Sequence, residues 1–233
     1  MRPLLVLVHG SLSSADEWGG YADLLPDCDV VAVDLPGHGG RGDEVFTTRA
    51  AIRAIEQAVA QRATGQPVFL AGHSLGGYLA SLHAARNPGV LAGLILIGAT
   101  GDPRSPLAVV YRAYAWLVGK VDHARLARVR DAVARRLGLS EDQFPAPDAY
   151  AVLPAAWQSV IDDCPSHLMT RVDCPVLFIN GQFDQMRLNE RAYQRLTPSS
   201  RLVTVPRATH LAPLTHPEQV AELIQQFARD LAG

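Results

Sequence analysis

Six short apolar runs rich in valine, leucine and isoleucine recur along the chain: residues 4–8 (LLVLV), 30–34 (VVAVD), 68–72 (VFLAG), 93–98 (GLILIG), 175–179 (PVLFI) and 201–205 (RLVTV). Most are continuously apolar rather than alternating, which predicts strands buried on both faces, as in a parallel sheet covered by helices. Helical patterning fills the gaps at about 16–25, 48–62, 75–86, 188–196 and 217–231. Alternating strands and helices with right-handed crossovers define the α/β class. The runs begin at 4, 30, 68, 93, 175 and 201, so the intervals are 26, 38, 25, 82 and 26 residues. A strand-helix-strand crossover needs only about 30 residues, and long structureless loops are uncommon in a compact domain. The excess between 100 and 174 therefore reads as a helical insertion over one end of the sheet, patterned at 107–118, 122–137 and more weakly 149–161. The expected division is a core of residues 1–101 and 174–233 and an insertion of residues 102–173.

After the third run comes Gly72-His73-Ser74-Leu75-Gly76-Gly77, a G-x-S-x-G sequence where a strand must turn sharply into a helix. A serine there sits on a strained turn at the carboxyl edge of the sheet, and the flanking glycines let strand and helix approach closely. The N–H of Leu75, at the start of the following helix, is then aimed at a developing oxyanion, which the helix dipole also favours. A serine hydroxyl is a weak nucleophile at neutral pH, so this reading requires a base and an acid to orient the base. Asp184 follows the fifth run and His210 the sixth. The order Ser, Asp, His, with each residue just past a strand's carboxyl end, places all three where sites on open α/β sheets assemble.

With these residues in place the chain resembles the α/β-hydrolase superfamily along essentially its whole length. The likeness includes His9-Gly10-Ser11 after the first run and the Asp34-Leu35-Pro36-Gly37-His38-Gly39 turn after the second. It implies an α/β-hydrolase fold with helices on both faces, a helical cap formed by the insertion, and Ser11 as the second oxyanion N–H donor. Family members usually begin with a β-hairpin ahead of the strand leading into His-Gly, and here that strand starts at residue 4. A trimmed, mostly parallel sheet of six strands is therefore expected, with the usual first two absent. Serine at the nucleophile position disfavours the chemistry of related dehalogenases and epoxide hydrolases, which use aspartate.

Other candidates have plainer readings. Gly37-His38-Gly39-Gly40-Arg41-Gly42 is formally G-x-G-x-x-G, yet helical patterning begins only near Thr47 or Thr48, so a pyrophosphate would find no helix N-terminus beneath it. Asp102, after the fourth run, is an alternative acid, and His216 an alternative base, although Pro217 suits His216 better to the start of a helix. His9, His73 and His83 lack metal-ligand spacing, and packing roles suit them better. The insertion carries Arg104, Arg112, Lys120, Arg125, Arg128, Arg130, Arg135 and Arg136, which read mainly as a solvated face. Tyr111, Tyr114, Trp116 and Trp157 are candidates for an acyl pocket or for the insertion's own core.

Composition narrows the partners. The 233 residues are 48% hydrophobic and 19% charged with a net charge of −2, a globular profile that gives no support to nucleic acid or a polybasic membrane role. No apolar run reaches the roughly 18 residues of a membrane span, and no signal peptide is recognisable, so a cytoplasmic protein is expected. Cys28, Cys164 and Cys174 are odd in number and lack C-x-x-C spacing, which argues against a disulfide framework or a zinc cage. The expectation is a serine hydrolase of a carboxylic ester or thioester, with Ser74 as nucleophile, His210 as base, Asp184 as its partner, the N–H groups of Ser11 and Leu75 as oxyanion hole, a small-molecule acyl substrate, and neither cofactor nor metal. The competing expectations are a lactonase, a carbon–carbon bond hydrolase or lyase on an anionic substrate, similar to the menaquinone-pathway synthase group, and a ligand receptor on the same fold.

Overall fold

The computed structural model describes residues 1–105, 128, 132 and 149–232. Its frame is one sheet of six strands, β1 (Leu4–Val8), β2 (Asp29–Val33), β3 (Val68–His73), β4 (Gly93–Ile97), β5 (Val176–Gly181) and β6 (Ser200–Val205), each within two residues of an apolar run. The order is β2-β1-β3-β4-β5-β6 and every neighbouring pair is parallel, as the spacing predicts. Successive side chains of a strand enter opposite cores. Leu4, Val6 and Val8 pack with Leu70, Leu96 and Phe178 on one face, while Leu5 and Leu7 pack with Phe69, Ile95 and Leu177 on the other. Both faces are dry, so the sequence shows no alternation; each fully buried aliphatic side chain contributes about 1.5–3 kcal/mol relative to exposure.

The helices are α1 (Tyr21–Leu24), α2 (Thr48–Val59), α3 (Leu75–Arg86), α4 (Ala149–Asp163), α5 (Glu190–Leu196), α6 (Ala212–Thr215) and α7 (Pro217–Ala232). Residues of α2 and α3 fill one core, and residues of α7 fill the other. The Thr47 hydroxyl accepts from Ala50 N–H at 3.1 Å and so caps α2, satisfying one of the N-terminal donors the helix leaves open. From Leu75 to Ala85 every residue of α3 is buried, which suits a helix lying between the sheet and other helices. The helix expected at 16–25 is instead a 3-10 turn, Ala15–Trp18, followed by α1. Gly19 and Gly20 intervene, and Gly20 takes the left-handed conformation at φ 81°, which ends helical propagation.

The third helix expected in the insertion is present as α4, which continues through Pro154 to Asp163. The helices expected at 107–118 and 122–137 lie outside the described residues apart from Arg128 and Ala132, both exposed. Arg104 donates to Ile161 O at 3.2 Å and Asp162 O at 2.8 Å, satisfying carbonyls in the last turn of α4. Among the described residues no helix is long and apolar enough to cross a membrane. Cys28, Cys164 and Cys174 are buried free thiols.

Two core imidazoles are held neutral. Burial first, and for His9 the neighbouring His38 second, lowers the pKa of His9 and of His83 from 6.5 to about 4. Between these values the unfolded chain binds more protons than the folded one, so this source of stability is whole above pH 6.5 and lost as pH falls toward 4. Between about pH 7 and about pH 5 His9 and His83 each remove about 2 kcal/mol while His73, whose pKa is raised, returns at most about 1 kcal/mol, so urea unfolding is expected to show a net loss. Stability that stays level or rises across that interval contradicts the assignment.

Candidate active site

Strand β3 ends at His73 and helix α3 begins at Leu75, so Ser74 alone makes the turn. It does so at φ 50° and ψ −115°, a conformation that costs a non-glycine residue about 1–3 kcal/mol. The flanking glycines are steric requirements. A Cβ on Gly72 would lie 2.3 Å from Gly76 O, and one on Gly76 would lie 2.3 Å from Val8 O. Ser74 N–H donates to Ile97 O at 2.9 Å, which pins the turn to the end of β4.

His210 lies five residues past β6, and its loop runs back across the ends of β5 and β4. Glycines clear the path: a Cβ on Gly181 would sit 2.2 Å from Thr209 O, and one on Gly98 2.9 Å from both Asp184 Oδ2 and His210 Nδ1. His210 Nε2 thereby comes 3.0 Å from Ser74 Oγ, and Nδ1 comes 3.0 Å from Asp184 Oδ1. The same Oδ1 accepts from Met186 N–H at 2.7 Å. Burial by itself raises the Asp184 pKa, but the hydrogen bond and charge of His210, the Met186 N–H and the His73 charge together bring it below the ordinary carboxylate value. An ionised acceptor facing Nδ1 places the imidazole proton there and leaves the Nε2 lone pair facing the serine hydroxyl.

Parallel register sets Val8 of β1 beside Gly72 of β3, so the Ser11 loop and the Ser74 turn leave adjacent strands side by side. The Gly10 carbonyl accepts from His9 Nδ1–H at 2.7 Å, a tautomer fixed by His9 Nε2, which accepts from Leu35 N–H at 3.1 Å. In a trans peptide the C=O and N–H point in opposite directions, so this bond turns Ser11 N–H away from His9. Among the described residues no acceptor is paired with Ser11 N–H or Leu75 N–H. Ser11 and Leu75 line a narrow apolar crevice, too tight for a water molecule, together with Tyr78 and, from α4, Trp157 and Val160. Trp157 is the one aromatic of the four candidates within the described residues; Tyr111, Tyr114 and Trp116 lie outside them.

The remaining candidates are engaged elsewhere. Asp102 accepts from Arg104 N–H and from the Ser166 hydroxyl, both at 3.0 Å, and has no bond to His210. The His216 carbonyl accepts from Val220 N–H at 3.1 Å at the start of α7, and its Nδ1 lies 2.9 Å from Thr215 Oγ1. In the glycine-rich turn the Asp34 carboxylate accepts from Gly40 N–H at 2.9 Å and Ala15 N–H at 2.8 Å. A carboxylate thus occupies the place a phosphate would need, and α2 opens only at Thr48. Sequence reasoning missed Glu17, Gly98 and the Met186 N–H. Asp16-Glu17-Trp18 falls in the stretch expected as a helix with nothing to mark Glu17 for a role, yet Glu17 is 2% exposed.

The model of the alpha/beta hydrolase family matches residues 5–223. The pimeloyl-[acyl-carrier protein] methyl ester esterase of Neisseria meningitidis serogroup A is 30% identical over 95% of this chain and 75% of that protein. The 2-succinyl-6-hydroxy-2,4-cyclohexadiene-1-carboxylate synthase of Serratia proteamaculans is 38% identical over 44% of this chain and 40% of its own. Among solved structures, a thermophilic esterase from Thermogutta terrifontis superposes with a TM-score of 0.76 at 26% identity, covering 98% of this chain and 90% of that one.

Proposed function

We propose, from the premise that the chain belongs to the alpha/beta hydrolase family, that it hydrolyses a carboxylic ester or thioester through an acyl-enzyme on Ser74. The observation that carries this reading is the unbroken line from Ser74 Oγ to His210 Nε2 and from His210 Nδ1 to Asp184 Oδ1, each step 3.0 Å. In the first half-reaction Ser74 Oγ attacks the acyl carbon as His210 takes its proton. The carbonyl oxygen becomes an oxyanion held by the N–H groups of Ser11 and Leu75, where loss of one such donor costs about 3–4 kcal/mol in an acyl-transfer enzyme. Collapse expels the alcohol or thiol, which leaves with the proton from His210. In the second half-reaction water attacks the acyl-enzyme, His210 accepts its proton and returns it to Ser74 Oγ, and the carboxylic acid is released. Asp184 keeps the imidazole in its working tautomer and stabilises the transient imidazolium.

Leu75, Trp157 and Val160 make the surroundings of Ser11 apolar, which favours an acyl group with an aliphatic portion beside the oxyanion donors. The Neisseria relative, named for a methyl ester of a carrier-bound acyl chain, supports a substrate whose acyl portion is aliphatic. A fluorophosphonate probe is expected to label the protein on Ser74, with attachment located by peptide mass analysis, and p-nitrophenyl esters are expected to turn over. Labelling at a different residue, or none, removes this assignment. Rapid labelling with negligible turnover of open-chain esters, lactones and thioesters favours the receptor reading.

A further inference from the structure

Next to the serine a carboxylate and an imidazole form a buried chain that the chemistry above does not use. Glu17 and His73 are 2% and 3% exposed. Glu17 Oε2 accepts from Gly10 N–H at 2.9 Å, Glu17 Oε1 lies 2.5 Å from His73 Nδ1, and His73 Nε2 lies 2.9 Å from the His210 carbonyl. We propose that Glu17 and His73 are positioning residues of the hydrolytic centre, a single tether from the loop carrying Ser11 N–H, through the strand carrying Ser74, to the loop carrying the His210 imidazole. The inference rests on the reading of Ser74 as the nucleophile.

Three observations support it. Both ring nitrogens of His73 face acceptors, one a carboxylate and one a carbonyl, so both donate and the ring is an imidazolium opposite an ionised Glu17. Burial opposes charge on each partner, yet their mutual attraction wins: the His73 pKa is raised and that of Glu17 lowered. The ends of the chain are also specific. They are the backbone N–H of Gly10, one residue before Ser11, and the backbone C=O of His210 itself. An apolar pair could fill the same volume and stabilise the fold equally well, but it could not hold those two peptide groups. The His73 and His210 rings lie 4.9 Å apart, so a shift of one is passed to the other through contact as well as through the hydrogen bond.

The experiment compares Glu17→Ala, Glu17→Gln and the double variant Glu17→Gln/His73→Phe with wild type. Turnover of p-nitrophenyl acetate, the rate of fluorophosphonate labelling and circular dichroism are measured on each. Glu17→Ala releases both loops, and misplacement on the order of 1 Å costs up to about 10²-fold, so kcat is expected to fall by about 30-fold or more with KM within about threefold. Glu17→Gln still accepts from Gly10 N–H and lets His73 become a neutral tautomer that accepts at Nδ1 and donates from Nε2. It is expected to recover kcat to within about fivefold of wild type. Should Glu17→Ala fail to fold, the double variant carries the test. It leaves no unpaired charge and keeps the Gly10 bond but severs the one to His210, and its kcat is expected to fall at least about tenfold at near-constant KM. Unchanged kcat in Glu17→Ala or in the double variant, a loss confined to KM, or a Gln variant as impaired as Ala overturns the tether while leaving Ser74 labelling intact. Wild-type protein that is not labelled on Ser74 overturns the functional reading, and the tether with it.

Discussion

Ser74→Ala is expected to lower kcat on p-nitrophenyl esters by about 10⁴-fold or more and to abolish fluorophosphonate labelling. The size of the effect follows from geometry: His210 Nε2 is directed at Ser74 Oγ and at no other hydroxyl among the described residues. Removing the nucleophile therefore leaves a base with nothing to activate but water, held less closely. The same position has a second, independent signature. Ser74 adopts φ 50° and ψ −115°, where glycine is unstrained and any residue with a Cβ is not. Ser74→Gly should be as inactive as Ser74→Ala yet more stable than it by about 1 kcal/mol, being strain relief of about 1–3 kcal/mol less glycine's entropic cost of about 0.5–1. Thermal unfolding of the two variants checks this. An alanine variant at least as stable as the glycine variant means that the turn stores no strain, and retained turnover in either means that another residue carries the chemistry.

At Asp184 the expected loss depends on what replaces it. Asp184→Ala should reduce kcat by about 10⁴-fold, the scale at which a misdirected imidazole disables such a site. Asp184→Asn should be milder, about 10³-fold or less, for a reason particular to this arrangement. Met186 N–H and His210 Nδ1 both bond to the same oxygen, Oδ1. The Met186 donor selects the asparagine orientation that leaves an oxygen at that point, so the imidazole keeps its proton on Nδ1 and only the charge is lost. The ratio of kcat for the two variants on one ester decides the matter. An asparagine variant as impaired as the alanine variant shows that the amide turns over and presents its NH₂ to His210.

Much of this arrangement was readable from residue order, and the unread part has a common cause. Six strands within two residues of their apolar runs, and a serine, an acid and a histidine at strand ends, are properties of local pattern, because burial on both faces and chain reversal leave marks in the sequence itself. The capping role of Thr47 is local as well, and so is the break at Gly19 and Gly20, a mark the expected helix over 16–25 overran. Glu17 is different. Its role depends on the end of β1, the end of β3 and the loop after β6 meeting in space, and His73 lies 56 residues away from it in sequence. Nothing within reach of a sequence window distinguishes it from Asp16, which stands beside it and is exposed. Asp34 is non-local to a lesser degree: the absence of a helix start within the glycines at 37–42 already set a phosphate aside, but that a carboxylate from the end of the preceding strand accepts from Gly40 N–H was not legible.

The glycines under the His210 loop lead further. Gly98 and Gly181 contribute no atom to the chemistry, and yet a methyl group on Gly98 would fall against the Asp184 and His210 side chains, and one on Gly181 against the Ala208 and Thr209 carbonyls that lead to His210. The position of the His210 imidazole is thus set from below by groups that are missing, a mould rather than a scaffold. Such positions have a different tolerance from the reacting residues: a conservative exchange can preserve a carboxylate or an imidazole, but nothing is smaller than hydrogen. In a library of variants selected for altered substrates, these two sites can therefore only be kept, whereas Trp157 and Val160, which meet the crevice from a separate helix, can be varied with Asp184 and His210 left in place.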